Sequence, residues 1–404
     1  MAALGKFRIA VISPFLDKQH GTERCIVEQV ERLAHDNEVH VYSNRVEDLD
    51  PAAIVWHRIP SVPGPHLLAF CWWFVANHVW RWWDRLFHGL RFDLTYTSGI
   101  NCLDADVITV HIVFSEFYSQ VKDVLSVRVN PMSSWARLVH RRLYYLVIIA
   151  LEHLVYRRKR SLLSAISRKT AGDLEFYGRL RSPVIYYGVD RGRFNPENRI
   201  RLRTRARHSL KIPEPTLCLL LVGNDWKKKG LVSLLEAVCA VRSDNLRLLV
   251  VGHDDPAPYR TLIARNGISE YVEFLPLRGD VELYYAAVDV YVSPALEDAF
   301  GLPPLEAMAC GLPVIVSSRA GVSEIISDGI DGLVLQEPKD VSSLTKMISD
   351  LQGSLALRQT LGDSAAETAR QYTWEHNTSQ LRTIFEQVIE RRGDYKKAAI
   401  QEVP

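Results

Sequence analysis

The stretch PALEDAFGLPPLEAMACGLP, residues 294–313, decides the fold. It follows a short apolar run, VYVS, that reads as a buried strand. A glycine-containing loop comes next, then a helix. Pro303 and Pro304 suit the first turn of that helix, where backbone N–H groups have no helical partner. Gly311 suits its end. Strand, loop and helix N-terminus together form a natural site for an anion. Proline has no N–H, so the amides offered to an anion belong to Phe300, Gly301 and Leu302. Asp298 and Glu306 border the same loop and the first turn. Two carboxylates beside a phosphate suit hydroxyl groups better than the phosphate, one for a sugar and one for a ribose.

Working outward, the same alternation fills the chain twice. Strands are expected at Phe7–Pro14, Glu38–Ser43, Leu94–Ser98, Val107–His111 and Leu162–Ile166, with a helix at Thr22–Ala34. A second set is expected at Leu217–Gly223, Leu246–Gly252, Val272–Leu275, Val290–Ser293, Pro313–Ser317 and Gly332–Leu335. Helices at Leu231–Val241, Pro303–Ala309 and Val341–Leu351 lie between these. Short apolar strands alternating with helices imply α/β architecture, with parallel sheets covered on both faces. Two sets imply two doubly wound domains. Ligands of such sheets bind at the carboxyl ends of the strands, and facing domains put the site in a central cleft. The turn YGVD at 187–190 and the following FNPEN mark a boundary near residue 190. The expected domains are 1–190 and 191–373, with a helix and tail at 374–404.

Three more segments offer chemistry. VGNDWKKKGL, residues 222–231, puts three lysines on a loop between a strand and a helix. Lys229, beside Gly230, can meet a phosphate as a point charge. HGTER, residues 20–24, follows the first strand; Gly21 permits close backbone approach and Thr22 can cap a helix. His111 ends an apolar strand whose carboxyl end is expected to face a ligand.

Composition narrows the class. Of 404 residues, 47% are apolar and 24% charged, which excludes general disorder. The longest apolar run, Leu143–Leu151, is too short to span a bilayer. Six scattered cysteines without a CxxC pair fit a reducing compartment and no zinc site. The N-terminal residues lack the pattern of a signal peptide, so a cytoplasmic location is expected. Residues 128–211 carry 20 Lys and Arg against 5 Asp and Glu, whereas both flanks are acidic. A basic centre between acidic ends implies one positive surface. Five of the nine tryptophans fall between Trp72 and Trp83, and Trp72, Ala76, Val79, Trp83 and Phe87 share a helical face. Arginines flank a second apolar helix over Arg137–Arg160. Tryptophan-rich and arginine-flanked helices suit an anionic membrane surface, so peripheral attachment to its inner face is expected. Nucleic acid is not expected as a partner.

Together these segments resemble the family 4 retaining glycosyltransferases of the GT-B fold. DAFGLPPLEAMACGLPVI at 298–315 looks like that family's acidic-x7-Glu signature, and AGVSEIISDGIDGLVL at 320–335 like the segment after it. YYGVDRGRF at 186–194 resembles its interdomain linker and YTWE at 372–375 the start of a C-terminal helix crossing back to the first domain. The lysine loop is similar to that of bacterial lipopolysaccharide-core glucosyltransferases. Asp298 stands where the family usually has Glu, with Glu297 before it; Asn224 stands where many members have Arg, and His20 where they have Gly. The resemblance implies sugar transfer with retention from a nucleotide sugar, UDP-glucose or another UDP-sugar, to a lipid-linked or cell-envelope glycan, with neither metal nor cofactor. It implies that Lys229 and Lys228 hold the diphosphate and that the amides of Phe300, Gly301 and Leu302 meet the donor. It implies further that Asp298 contacts the sugar, Glu306 the ribose, Gly21 and Thr22 the donor, and that His111 lies near the transferred sugar. Two alternatives share the donor: a sugar-nucleotide epimerase and a non-catalytic binding protein.

Overall fold

The computed structural model describes residues 6–18, 21–121, 135–241 and 243–401. The chain divides into two compact units, Met1–Tyr186 with Asn377–Pro404, and Tyr187–His376. The first contains β1 (Arg8–Ile12), β2 (Phe15–Leu16), β3 (Glu38–Ser43), β4 (Arg45–Val46), β5 (Val55–Arg58), β6 (Leu94–Ser98), β7 (Val107–Val110) and β8 (Leu162–Ala165). The second contains β9 (Leu217–Val222), β10 (Leu246–Val251), β11 (Val272–Leu275), β12 (Val290–Ser293), β13 (Val314–Ser317) and β14 (Leu333–Leu335).

Each unit is built on a six-stranded parallel sheet, ordered β5-β3-β1-β6-β7-β8 in the first and β11-β10-β9-β12-β13-β14 in the second. Strand order reverses once in each sheet, between β1 and β6 and between β9 and β12. Loops leaving the carboxyl ends of those strands diverge, which opens a crevice for a ligand. All six residues of β9, LCLLLV, are buried, as befits a central strand covered on both faces.

The first unit has a core on each face of its sheet. One is built by the helix Gly21–Leu33 and by Leu381, Ile384, Phe385 and Val388 of the final helix, Trp374–Gln401. The other is built by the helices His66–Phe87 and Trp135–Tyr156. The unit boundaries fall a few residues from 190 and 373 for a packing reason. Tyr187 stacks near Phe300 and Trp374, and the Val189 N–H donates to Tyr372 O at 2.9 Å. The linker and the first turn of the final helix therefore belong to the second unit.

The face expected on the tryptophan-rich helix is displaced. Ala76 is buried against the sheet together with Trp73. The outward stripe is instead Leu68, Trp72, Val75, Val79, Trp82 and Leu86, with Trp83 and Phe87 beside it. The expectation of one positive surface also needs correction. Arg193 pairs with Glu282, and Arg203 and Arg207 with Asp289. Arg199 donates to the carbonyls of Gly311 and Val288. These arginines, on or before the helix Pro196–Ser209, are spent inside the second unit.

Candidate functional site

The second unit's crevice is framed by the loops after β9 and β12, and these carry the lysine segment and the acidic segment. They lock together. The Leu296 N–H donates to Lys228 O at 2.7 Å. Gly230, at φ +78°, lies so near Pro294 that a Cβ there would sit 1.9 Å from its carbonyl oxygen. Any side chain would part the loops. Gly223 does a different job: a Cβ on it would stand 3.1 Å from Lys229 Cε, so its bareness clears the path of the lysine stem. Lys229 Nζ reaches across and donates to Asp298 Oδ2. The pair is mostly buried, with side chains 16% and 18% exposed.

Asp298, not Glu297, is the carboxylate that meets Lys229. Its backbone is held by the segment after β13. The Gly321 N–H donates to Asp298 O at 3.1 Å and the Val322 N–H to Phe300 O at 2.8 Å. Gly301 then turns at φ +98°, a conformation that favours glycine, and the helix Leu302–Ala309 starts with no side-chain cap on its N-terminus. Pro303 and Pro304 bring no donors to this uncapped end. Glu306 is the fifth residue of the helix, one residue deeper than expected and just past its first turn. It is buried, and Tyr285 Oη donates to its Oε2 at 2.7 Å. Burial beside that carboxylate drives the Tyr285 hydroxyl well above its ordinary pKa, so it stays protonated as the donor.

Lys228 is half exposed and lies 3.4 Å from Asp225 Oδ2. What braces this loop is not marked in the loop's own residues. Asp254, just past β10, accepts from the Asp225 and Trp226 N–H groups at 3.0 and 2.7 Å. Trp226 is sunk in the core against Phe274. Asp254 stands at the end of the neighbouring strand, which is the one signal that could have found it.

Gly21, Thr22 and His111 belong to the first unit, at the carboxyl edge of its own sheet. The helix there opens at Gly21, so Thr22 lies within its first turn and not at the cap. His20 lies outside the described residues. His111 follows β7 and is buried, and burial pushes its pKa down to about 3. Its imidazole is therefore neutral at neutral pH. The structure joins the loop of Lys228 and Lys229 to the Asp298–Leu302 turn, which opens the helix carrying Glu306, and places Gly21, Thr22 and His111 in the other unit.

Comparison with known proteins bears on family and fold. Residues 216–353 match the model of glycosyl transferases group 1. A D-inositol 3-phosphate glycosyltransferase of Geodermatophilus obscurus is 31% identical over 237 residues, covering 54% of this chain and 50% of the relative. The lipopolysaccharide glucosyltransferase WaaG of Escherichia coli is 33% identical over 164 residues, 40% and 43% of the two chains. The chain thus spans about half the length of the curated relatives it matches. Similarity of fold runs further. A crystal structure of WaaG matches with TM-score 0.77 and 22% identity over 93% of this chain and 99% of that one. Anabaena Alr3699/HepE in complex with UDP-glucose matches with TM-score 0.68 and 18% identity, covering 94% and 100%.

Proposed function

From the match of residues 216–353 to glycosyl transferases group 1 and a fold like that of WaaG, we propose that the protein transfers a hexose from a UDP-sugar to a glycan or glycolipid of the cell envelope, with retention at the anomeric carbon. The observation that carries the proposal is the lysine of one loop held on the carboxylate of the other, beside an uncapped helix N-terminus.

Lys229 and Lys228 supply positive charge to the donor's diphosphate, and the amides of Phe300, Gly301 and Leu302 supply hydrogen bonds. Both stabilise the charge that grows on the phosphate as the glycosidic bond breaks. Charge neutralisation falls to these groups and no metal is assigned to it. Asp298 fixes the Lys229 ammonium and accepts from sugar hydroxyls. Glu306, oriented by Tyr285, accepts from the ribose. In a front-face displacement the departing phosphate takes the proton of the acceptor hydroxyl while that oxygen bonds to the anomeric carbon. Acceptor recognition is assigned to the first unit, where the neutral His111 lies at the carboxyl edge of the sheet, while Gly21 and Thr22 are assigned to the donor.

Among the described residues no helix is long and apolar enough to cross a membrane. The apolar stripe of His66–Phe87 is supported by exposed Val139, Leu143 and Leu146 on the neighbouring helix, with Arg141 and Arg142 exposed between them. Both helices favour peripheral attachment to an anionic membrane at the cytoplasmic face.

UDP-glucose incubated with envelope glycolipids, with chelator present, tests the proposal by NMR of the product's anomeric proton. An α-linked product is expected from the α-linked donor. A β-linked product would refute retention. An isomerised donor formed without any acceptor would make the protein an epimerase.

A further inference from the structure

The opposite edge of the first sheet carries a second feature, which uses nothing from the transfer site. An open groove of about 2030 Å³ runs along the amino ends of β6, β7 and β8, where Thr95, Asp106 and Leu162 line it. The strand β7 separates this edge from His111, and the five steps from Asp106 to His111 are about 16 Å of extended chain. The groove is therefore distinct from the carboxyl-edge site of the same unit.

Its charge is one-sided. Among the described residues, nine arginines and lysines line it against three aspartates. The aspartates are already engaged. Arg81 holds Asp104 through two bonds of 2.7 Å. Arg392 of the final helix donates to Asp106, and the Thr95 N–H bonds the same carboxylate at 2.9 Å. Asp93 accepts from the Arg8 N–H at 2.8 Å. Arg85, Arg91, Lys159, Arg181 and Arg391 form no ion pair among the described residues, and all five are exposed along the groove. Like charges gathered in a concavity repel one another and raise the local potential, which draws in anions. Folding gains nothing from such crowding, so its use is external.

Size and lining define the ligand. The volume exceeds the roughly 300–1,000 Å³ of an ordinary small-molecule pocket, so an oligomer fits better than one phosphate. Trp82, 57% exposed, stands beside Arg85 at the rim and offers an indole face to a sugar ring. A single-stranded nucleic acid would call for a row of such aromatic platforms. The Arg81 guanidinium is only 8% exposed, beyond the reach of a flat bilayer. We propose that this groove binds a linear anionic glycan, one with phosphate or carboxylate groups on successive sugars.

Titration calorimetry of the full chain tests this with three probes: an oligogalacturonate, inorganic tripolyphosphate and a neutral dextran of matched length. The oligogalacturonate is expected to bind, with affinity falling steeply as salt rises, and the dextran is expected not to bind. The triple variant R91E/R181E/R391E, whose exposed residues make no internal ion pair, should bind at least tenfold more weakly at an unchanged thermal midpoint. W82A should weaken the oligogalacturonate more than the tripolyphosphate. Equal affinity of wild type and triple variant would overturn the proposal. So would binding of dextran, or tighter binding of a single-stranded oligonucleotide. Loss of binding to anionic vesicles in the triple variant, without binding of either soluble anion by the wild type, would assign the groove to a membrane.

Discussion

Lys229 and Asp298 are 69 positions apart, yet two glycines and one carbonyl decide whether they meet. Gly230 is the stricter of these. Alanine there would force both a positive φ and a 1.9 Å approach to Pro294 O, at a cost of at least about 1–3 kcal/mol. Gly230→Ala is therefore expected to lower the thermal midpoint and to slow turnover; an unchanged midpoint would contradict the loop geometry. Lys229→Ala removes charge without disturbing that packing. Its loss should cut kcat by about 10²–10³, the effect of deleting one preorganised donor at a site of growing negative charge, and should lower the denaturant midpoint, because Asp298 loses the partner of a mostly buried pair. His111 predicts a pH effect. Its folded pKa is about 3 because of burial, below the ordinary value near 6.5. The unfolded chain thus binds the extra proton between those values, and stability falls as pH drops through that window. The loss is about 2 kcal/mol by pH 5, read by urea melts at pH 5 and pH 8, and His111→Gln should remove it.

Elements were legible where they were buried. The bounds expected for Glu38–Ser43, Leu94–Ser98, Val272–Leu275 and Val290–Ser293 are those observed; Leu94–Ser98 and Val290–Ser293 are buried throughout and Glu38–Ser43 nearly so, whereas Val272–Leu275 is an edge strand marked only by its short apolar pattern. The strand β5, VWHR, was not foreseen. It lies at the sheet edge with three of its four residues exposed, so no core pattern marks it. The acidic and lysine loops were readable because their charges interrupt apolar strands. Asp254 and Tyr285 were not, since each acts across a fold-made contact on a residue 20 or more positions away. The tryptophan-rich helix was read with its face rotated, because aromatic residues occur on both its buried and exposed sides. Its outward stripe carries a prediction of its own. Trp72, Val79, Trp83 and Phe87 changed together to Ala should release the protein from anionic vesicles in a sedimentation assay. Unaltered partitioning would refute the interfacial role, and Ala76 is left alone because it packs in the core.

At the scale of the molecule, the final helix begins in the second unit and ends on the first. Phe385 is buried there and meets Tyr96 edge-on at 5.3 Å between ring centroids. Asn377 bonds Gln29 at 2.8 Å and Tyr186 O at 2.7 Å. The first half of the helix therefore completes the core of a sheet that begins at Arg8, near the other end of the chain. Phe385→Ala is expected to cost about 3–5 kcal/mol, seen as a lowered calorimetric transition; a variant as stable as wild type would show that the helix only rests on the sheet. The charge asymmetry of the sequence also resolves at this scale. Part of the basic centre is consumed by ion pairs of the second unit, and part lines the groove at the amino edge of the first.

The most direct test of donor binding by the Lys229–Asp298 crevice is a thermal-shift comparison of wild type and Lys229→Ala with UDP, GDP and ADP, all without metal. A ligand at 100 times its Kd stabilises the native state by about 2.7 kcal/mol. UDP is expected to raise the wild-type midpoint more than the purine nucleotides do, and to leave that of Lys229→Ala unmoved. An equal rise in both proteins, or none with UDP in the wild type, would contradict the assignment.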